Sequence, residues 1–509
     1  MVDYSIRSMR DSTKLIGAQA VISIFSIFYF IIITRLFTKI QLASLAVLGI
    51  MCGIAAMFTG LGLGSTCLQK VPELIARGER KEASALIKAS IFIPLVLSLV
   101  TAGIIFFTST KISQIFFKNS DFGMLIKIMA LGVIIYKFYE SLSHTLRVVQ
   151  KFGKLSIANV MNNIGGRLIA LPLYFVLGIK GYIGGLIFAQ GLVLLYMFYH
   201  LKEYLFFRSG FYPIKELVHY SLPYYGDGFV RFGAMQADQL IIGVFFRPEL
   251  LATYYVARRF FDYLHLYIDA LLGPIVPKIA ELKTQGMEIV QKAFTKTSRY
   301  LSFSLIPVSL LIAAISYPLL RIYGGDKYIG ATPVLALLSV AAIAYGLYSV
   351  YAINVYILGK PVERFKQESV SSFLNVALGL GLVIPLNIFG LAIARLFSLS
   401  GASLFSRHLL KKLSKVRFDI LAFKQTLVAS LLMVTVIIIG QLFYYNIFVI
   451  PVYVLIGVIV YLFFFCRGLK REDIDLIRKF LPVRLSPLLI RAVYFFGGTK
   501  LKRDLAQNY

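Results

Sequence analysis

The chain has 509 residues, 58% of them hydrophobic and 15% charged, with a mean hydropathy of +0.79 and a formal net charge of +29. A soluble domain carries about 25% charged residues, so a soluble fold could not cover itself. Three cysteines make no disulfide framework, and the hydrophobicity excludes disorder. What remains is an all-α polytopic membrane protein.

A spanning helix takes about 20 apolar residues. The first such run, Leu15–Thr34, has no small-residue cleavage site and is read as a retained span. Runs follow at Leu42–Gly62, Ala89–Thr108, Phe122–Tyr139, Ile157–Leu177 and Tyr182–Tyr199. A second six are Tyr220–Phe245, Leu250–Val276, Leu301–Leu320, Thr332–Leu358, Val370–Leu386 and Ile388–Leu404. Thr426–Tyr444 and Ile447–Cys466 bring the expected total to fourteen. Beyond them, Ile474, Ile477, Phe480 and Leu481 recur at helical spacing beside Arg478 and Lys479, a pattern suited to a helix lying on the membrane surface or to a plain basic extension. Leu488–Phe496 is too short to span.

With a cytoplasmic N-terminus, 38 Lys and Arg fall in cytoplasmic segments, 8 in the opposite loops and 7 inside spans. That bias is the positive-inside rule and places both termini in the cytoplasm of a cell-membrane protein. Most of the +29 is therefore an orientation signal, and no nucleic-acid partner is expected. Basic loops instead meet membrane lipid.

The two six-span sets read as copies. After span one stands Phe37-Thr-Lys-Ile-Gln-Leu-Ala-Ser-Leu-Ala-Val47, and after span seven Phe246-Arg-Pro-Glu-Leu-Leu-Ala-Thr-Tyr-Tyr-Val256. Asn162 precedes Pro172 as Asn375 precedes Pro385, by ten positions, and Ile179-Lys-Gly181 matches Ile388-Phe-Gly390. Both copies begin on one side, so the repeat is parallel, with a pseudo-axis along the membrane normal. The expected organisation is an N-terminal six-helix bundle over residues 1–216, a second over 217–424, two added helices over 425–466 and a basic cytoplasmic tail over 467–509. The cleft between bundles is the natural path, and alternating access the natural motion.

Ionisable residues inside a span are expensive and point to function. Arg258, Asp262, His265 and Asp269 fall at i, i+4, i+7 and i+11 on one face of span eight, with Tyr254 extending the row. Asp227, Arg231 and Asp238 repeat the spacing i, i+4, i+11 in span seven. Facing lipid these rows would be prohibitively costly, so they are expected to face each other or a hydrated cavity. The plainer alternative is mutual neutralisation within (i, i+4) pairs; Arg259 has no sequence-local carboxylate of its own, since Asp262 already serves Arg258. The first-copy counterparts of the span-eight row are Gly49, Gly53, Ala56 and Gly60, a small-residue face that suits either a groove wall or close helix packing. Arg167 follows Asn159 and Asn163 in span five, Arg395 lies in span twelve, and Lys127 and Lys137 lie in span four. Lys137, Glu140 and His144 stand near a membrane boundary, where long side chains snorkel. Seven in-span cations against four in-span carboxylates suit an anionic, phosphate-bearing substrate. Asp238 and Asp269 lack an (i±4) arginine and are the better coupling-ion candidates, with His265 a titrating partner.

No Walker A sequence and no Cys/His metal spacing occur, so no cofactor, metal or enzymatic activity is expected. A membrane-embedded transferase would place acidic residues in sizeable outer loops, and these loops are short with few Asp or Glu. The 6+6+2 plan, the segment Thr34-Arg-Leu-Phe-Thr-Lys-Ile-Gln-Leu-Ala-Ser44, the stretch Phe246 to Val256, Gly273-Pro-Ile-Val-Pro-Lys278 and the loop Tyr323-Gly-Gly-Asp-Lys-Tyr-Ile-Gly-Ala331 together resemble the polysaccharide biosynthesis or oligosaccharide flippase family. That family sits in the multidrug/oligosaccharidyl-lipid/polysaccharide exporter superfamily. The resemblance implies a V-shaped exporter-type architecture and translocation of a polyprenyl-(pyro)phosphate-linked glycan, with an ion gradient as candidate energy source. Glycosyltransferases and a glycan polymerase are the implied partners. Substrate contacts would come from Arg231, Arg258, Arg259, Asp262, Arg167, Arg395 and Tyr254, and ion contacts from Asp269, Asp238, Asp227 and His265. A lipid II flippase and a multidrug or cation exporter of the same superfamily are the alternatives.

Overall fold

The computed structural model describes residues 2–207, 210, 212–272, 286–357, 361–413 and 418–466, with side chains from Gly17 onwards. The segment Gly273–Lys278 and the whole tail, with its Ile474–Leu481 and Leu488–Phe496 patterns, lie outside the described residues. Among those described, the chain is helical and contains no strand.

In chain order the first helices are α1 (Val2–Leu36), α2 (Lys39–Thr59), α3 (Leu63–Ala76), α4 (Arg80–Phe107), α5 (Ser109–Phe117) and α6 (Gly123–Val148). Next come α7 (Phe152–Val160), a π-helical turn over Met161–Gly165, and α8 (Gly166–Leu205). The middle of the chain holds α9 (Ile214–Met235), α10 (Ala237–Phe245) and α11 (Pro248–Leu272). The remainder are α12 (Met287–Ala314), α13 (Ser316–Gly324), α14 (Thr332–Ile357), α15 (Pro361–Leu413), α16 (Ile420–Phe443) and α17 (Ile450–Cys466).

Local chemistry sets several of these boundaries. Thr38 caps α2 in a capping box: its hydroxyl accepts from the Gln41 amide, and the Gln41 side chain accepts from the Thr38 amide. The matching helix of the second copy, α11, opens with Pro248, whose missing N–H costs nothing in a first turn. Asp419 caps α16 by accepting from the Ala422 amide at 3.0 Å.

Among the described residues, eight helical stretches are long and apolar enough to cross a membrane, and Ile450–Cys466 is a shorter apolar helix. The two longest, Phe152–Leu205 and Val362–Leu413, are each long enough for two spans. They bend where Gly178 and Asn387 take positive φ. The expected spans four, seven and eight are helical, but fall outside the apolar set, each carrying charged residues. The protein is a multi-pass membrane protein.

Two features depart from the expectation. The run Tyr220–Phe245 is two helices, not one: Gln236, at φ −124° and ψ −8°, separates α9 from α10. The loop expected after span two contains α3, an amphipathic helix whose Leu63, Cys67, Val71 and Leu74 join a buried cluster. Its apolar positions are too few and too interrupted by polar residues to register as a span.

By internal contacts the described chain forms two compact units, one from residues 1–256 and 368–394, the other from 257–367 and 395–466. In the first unit, Leu86, Ile87 and Ile91 of α4 pack with Leu142 and Leu146 of α6, Leu155 of α7 and Met197 and Leu201 of α8. Lipid is as apolar as leucine, so this packing rests on close contact and not on escape from water. Small residues permit it: a Cβ on Gly185 would stand 2.8 Å from the Ala170 Cα. In the second unit, Ala429, Met433 and Ile437 of α16 pack with Tyr461 of α17, whose hydroxyl donates to the Phe303 carbonyl at 3.0 Å. Large side chains such as Phe107, Val176, Ile384 and Phe443 point outward, as membrane-facing surfaces require.

Candidate functional site

The span-eight row lies in the second unit, on α11. Arg258 is buried, and its Nε donates to Asp262 Oδ1 at 3.0 Å. Arg259 approaches the other oxygen of Asp262 at 3.9 Å. One carboxylate thus serves two adjacent guanidinium groups. Phe261, also buried, links the row to Arg395: the Arg258 guanidinium lies 5.1 Å and that of Arg395 5.8 Å from its ring centre. Both distances are within cation–π range. Arg395 is almost fully buried on α15.

One turn on, the His265 Nε2 shares a hydrogen bond with the Tyr345 hydroxyl of α14, and Asp269 Oδ2 lies 3.8 Å from the same nitrogen. Side-chain exposure is lowest at Arg258, 5%, intermediate at Asp262 and His265, 33% and 26%, and highest at Asp269, 58%. One end is held in protein and the other is open. Three arginines face two carboxylates here, so with neutral histidine the set carries one excess positive charge. Such a set can engage a phosphate through planar guanidinium forks.

The remaining candidates lie in the first unit. The break at Gln236 removes Asp238 from the stripe of Asp227 and Arg231, because the i+11 spacing holds only along an unbroken helix. Asp238 is buried on α10, accepting from the Tyr254 hydroxyl at 2.6 Å and from the Gln239 amide at 2.9 Å. Tyr254 is fully buried in that contact. Arg167 donates to the Ser26 hydroxyl at 2.5 Å and lies 5.5 Å from the Tyr29 ring centre. Near it, Asn159 accepts from the Tyr139 hydroxyl at 2.8 Å, and Asn163 donates to the Asn159 carbonyl at 3.0 Å. Asp227 and Arg231 line a cavity with Lys137, Glu140 and His144.

Sequence reading placed these last three residues at a membrane boundary. The same reading missed Phe261 and Tyr345, which carried no signal beyond aromatic spacing. The small-residue face of α2 divides between its two readings. A Cβ on Gly53 would collide with the Gln236 side chain, as in close packing. Ala56 and Gly60 instead line the cavity, with Lys137 Nζ 3.4 Å from where a Gly60 Cβ would stand.

Comparison with solved structures finds the same fold at low identity. A structure described as lipid II flippase MurJ in an inward closed conformation matches with a TM-score of 0.73 and 17% identity, over 88% of this chain and 97% of that one. An inward-facing multidrug resistance MATE family transporter matches with a TM-score of 0.61 and 15% identity, over 76% and 93%. A transporter of that superfamily from Pyrococcus furiosus, described as having a binding pocket of reversed polarity, matches with a TM-score of 0.56 and 15% identity, over 80% and 96%. No curated protein matches the sequence significantly. A family model described as polysaccharide biosynthesis protein matches residues 32–333, more than half of the chain. The chain accordingly belongs to the polysaccharide biosynthesis protein family and has the helical exporter fold.

Proposed function

We propose that the protein is a flippase carrying a polyprenyl-(pyro)phosphate-linked oligosaccharide or polysaccharide repeat unit from the cytoplasmic to the outer leaflet of the cell membrane. The observation that carries this reading is the cluster of Arg258, Arg259 and Arg395 around Phe261 and Asp262. Three guanidinium groups against two carboxylates favour an anionic headgroup and disfavour a cationic drug. Family membership supplies the glycan.

In this reading the arginines hold the phosphate, and polar and aromatic groups accommodate the sugars. The prenyl tail stays in lipid. Alternating access between the two six-helix repeats, 1–216 and 217–424, exposes the headgroup to each side in turn. Arg231, Arg167 and Tyr254 are further candidate substrate contacts, and Asp227, Asp238, Asp269 and His265 candidate ion contacts. The charge bias puts both termini in the cytoplasm. The protein acts as a transporter and not as an enzyme, alongside glycosyltransferases and a polymerase.

A lipid II flippase is the second reading, favoured by the similarity to the MurJ structure. Complementation separates the two. The chain should restore surface glycan to a strain lacking its glycan flippase, and should not rescue one depleted of its lipid II flippase. Replacing Arg258 and Arg259 together by Ala should abolish that complementation with membrane expression retained. Full activity of the double variant overturns the phosphate-binding assignment.

A further inference from the structure

The charged row of α6 encloses space. Lys137, Glu140, Ser141 and His144 line a cavity of about 180 Å³ within the first unit. α9 supplies Tyr224, Tyr225, Asp227 and Arg231, and the turn between α2 and α3 supplies Gly60, Leu61 and Gly62. Lys137 is buried, with Nζ 2.6 Å from Glu140 Oε2. His144 stands four residues beyond Glu140, one helical turn along the same face. Its Nδ1 is buried and makes no hydrogen bond.

Glycine makes this arrangement possible. The His144 ring lies 3.2 Å from where a Gly64 Cβ would stand, so a side chain there would press on the imidazole. Gly62, at φ +70°, turns the chain so tightly against α9 that a Cβ would collide with the Ser221 carbonyl. The backbone is thus shaped around the histidine.

The charged and titratable groups around His144 are Lys137, Glu140 and Arg147 on its own helix and Tyr224, Tyr225, Asp227 and Arg231 on α9. The linings from α3 and α4 are Gly64, Ser65, Ser90 and Pro94, none of them charged. Among the lining residues Lys137 and Arg231 balance Glu140 and Asp227, and Arg147 outside the lining adds one positive charge. A buried imidazole nitrogen with an unused lone pair or proton, beside a carboxylate in a charge-balanced polar cavity, is suited to gain and lose one proton. A cavity of this size, with several polar groups in its lining, is large enough to admit water.

We propose that this cavity is a proton-binding site, with His144 the acceptor and Glu140 its counter-charge, and that its loading couples a proton gradient to transport. The coupling rests on the translocation reading; the proton binding does not. The site is distinct from the carboxylates of α10 and α11.

The chain contains no tryptophan, so Tyr225→Trp installs a single reporter on the cavity wall. In the full-length detergent-solubilised protein, its emission should show one transition with pH. His144→Gln should abolish that transition. Glu140→Gln should move it about one unit lower, because the carboxylate that favours the imidazolium is gone. In proteoliposomes, an imposed pH gradient should accelerate movement of a fluorescent polyprenyl-diphosphate glycan in the parent and leave His144→Gln unaffected. A transition that survives His144→Gln, or fails to move in Glu140→Gln, overturns the site. A gradient response retained by His144→Gln overturns the coupling. If the transition behaves as expected but no probe moves under any gradient, the translocation reading fails and the proton site stands.

Discussion

Gly178 and Asn387 hold the same backbone conformation 209 positions apart, at φ 62°, ψ −149° and φ 55°, ψ −142°. Each precedes the Ile-x-Gly triplet shared by the two copies. The glycines of those triplets also match in surroundings: a Cβ on Gly181 would collide with the Leu173 carbonyl, and one on Gly390 with the Leu382 carbonyl. The repeat is therefore written in backbone geometry as well as in residues. Asn387 sustains a conformation that favours glycine by accepting from the Ile388 amide at 2.8 Å through its own side chain.

Asn387→Ile should destabilise the protein by about 1–3 kcal/mol, the usual cost of forcing a β-branched residue to positive φ. Asn387→Gly should fold normally. Gly181→Ala and Gly390→Ala should lose similar amounts, because the added Cβ meets a carbonyl in both copies. Thermal unfolding in detergent checks all four, and an Asn387→Ile variant as stable as the parent would contradict the geometry.

The shared ring Phe261 should couple Arg258 and Arg395 energetically. Phe261→Leu conserves most of the volume but removes both cation–π contacts, each worth roughly 0.5–2 kcal/mol. A double-mutant cycle between Phe261→Leu and Arg395→Met should give a non-zero interaction energy. Simple additivity would mean that the ring packs without holding the guanidinium.

Tyr254→Phe removes one hydrogen bond from buried Asp238. Membrane-buried hydrogen bonds average roughly 0.6 kcal/mol and reach about 1.7, so a modest fall in Tm is expected. If Tyr254 also touches substrate, complementation should fall further than the Tm predicts. A variant with full activity and a small Tm loss assigns Tyr254 to holding Asp238 alone.

Asp269 is the most exposed carboxylate of the α11 row and sits beside His265. Asp269→Asn should alter the ion-gradient dependence of transport in vesicles, and an unchanged response removes Asp269 from coupling. Measured alongside His144→Gln, it separates the α11 carboxylate from the α6 cavity as the place where a gradient acts.

Sequence by itself determined the class of this protein. Apolar runs of bilayer length can only be helices, because lipid offers the backbone no hydrogen-bond partner. Basic loops carry the signal for the proposed orientation, and a constant offset carries the repeat. The sequence also showed that Arg258 and Asp262 share a face, since helical period fixes which residues can meet along one helix. It could not show that one residue, Gln236, breaks α9 from α10 and detaches Asp238 from Asp227 and Arg231. It could not bring Arg395 to Phe261, or Tyr345 to His265, because those contacts join residues far apart in the chain. Nor could it tell a boundary lysine from a cavity lysine: Lys137, Glu140 and His144 read alike in both settings. Only the packing of α6 and α9 on α2 and α3, with the glycine turn between α2 and α3, decided that they line a shared cavity.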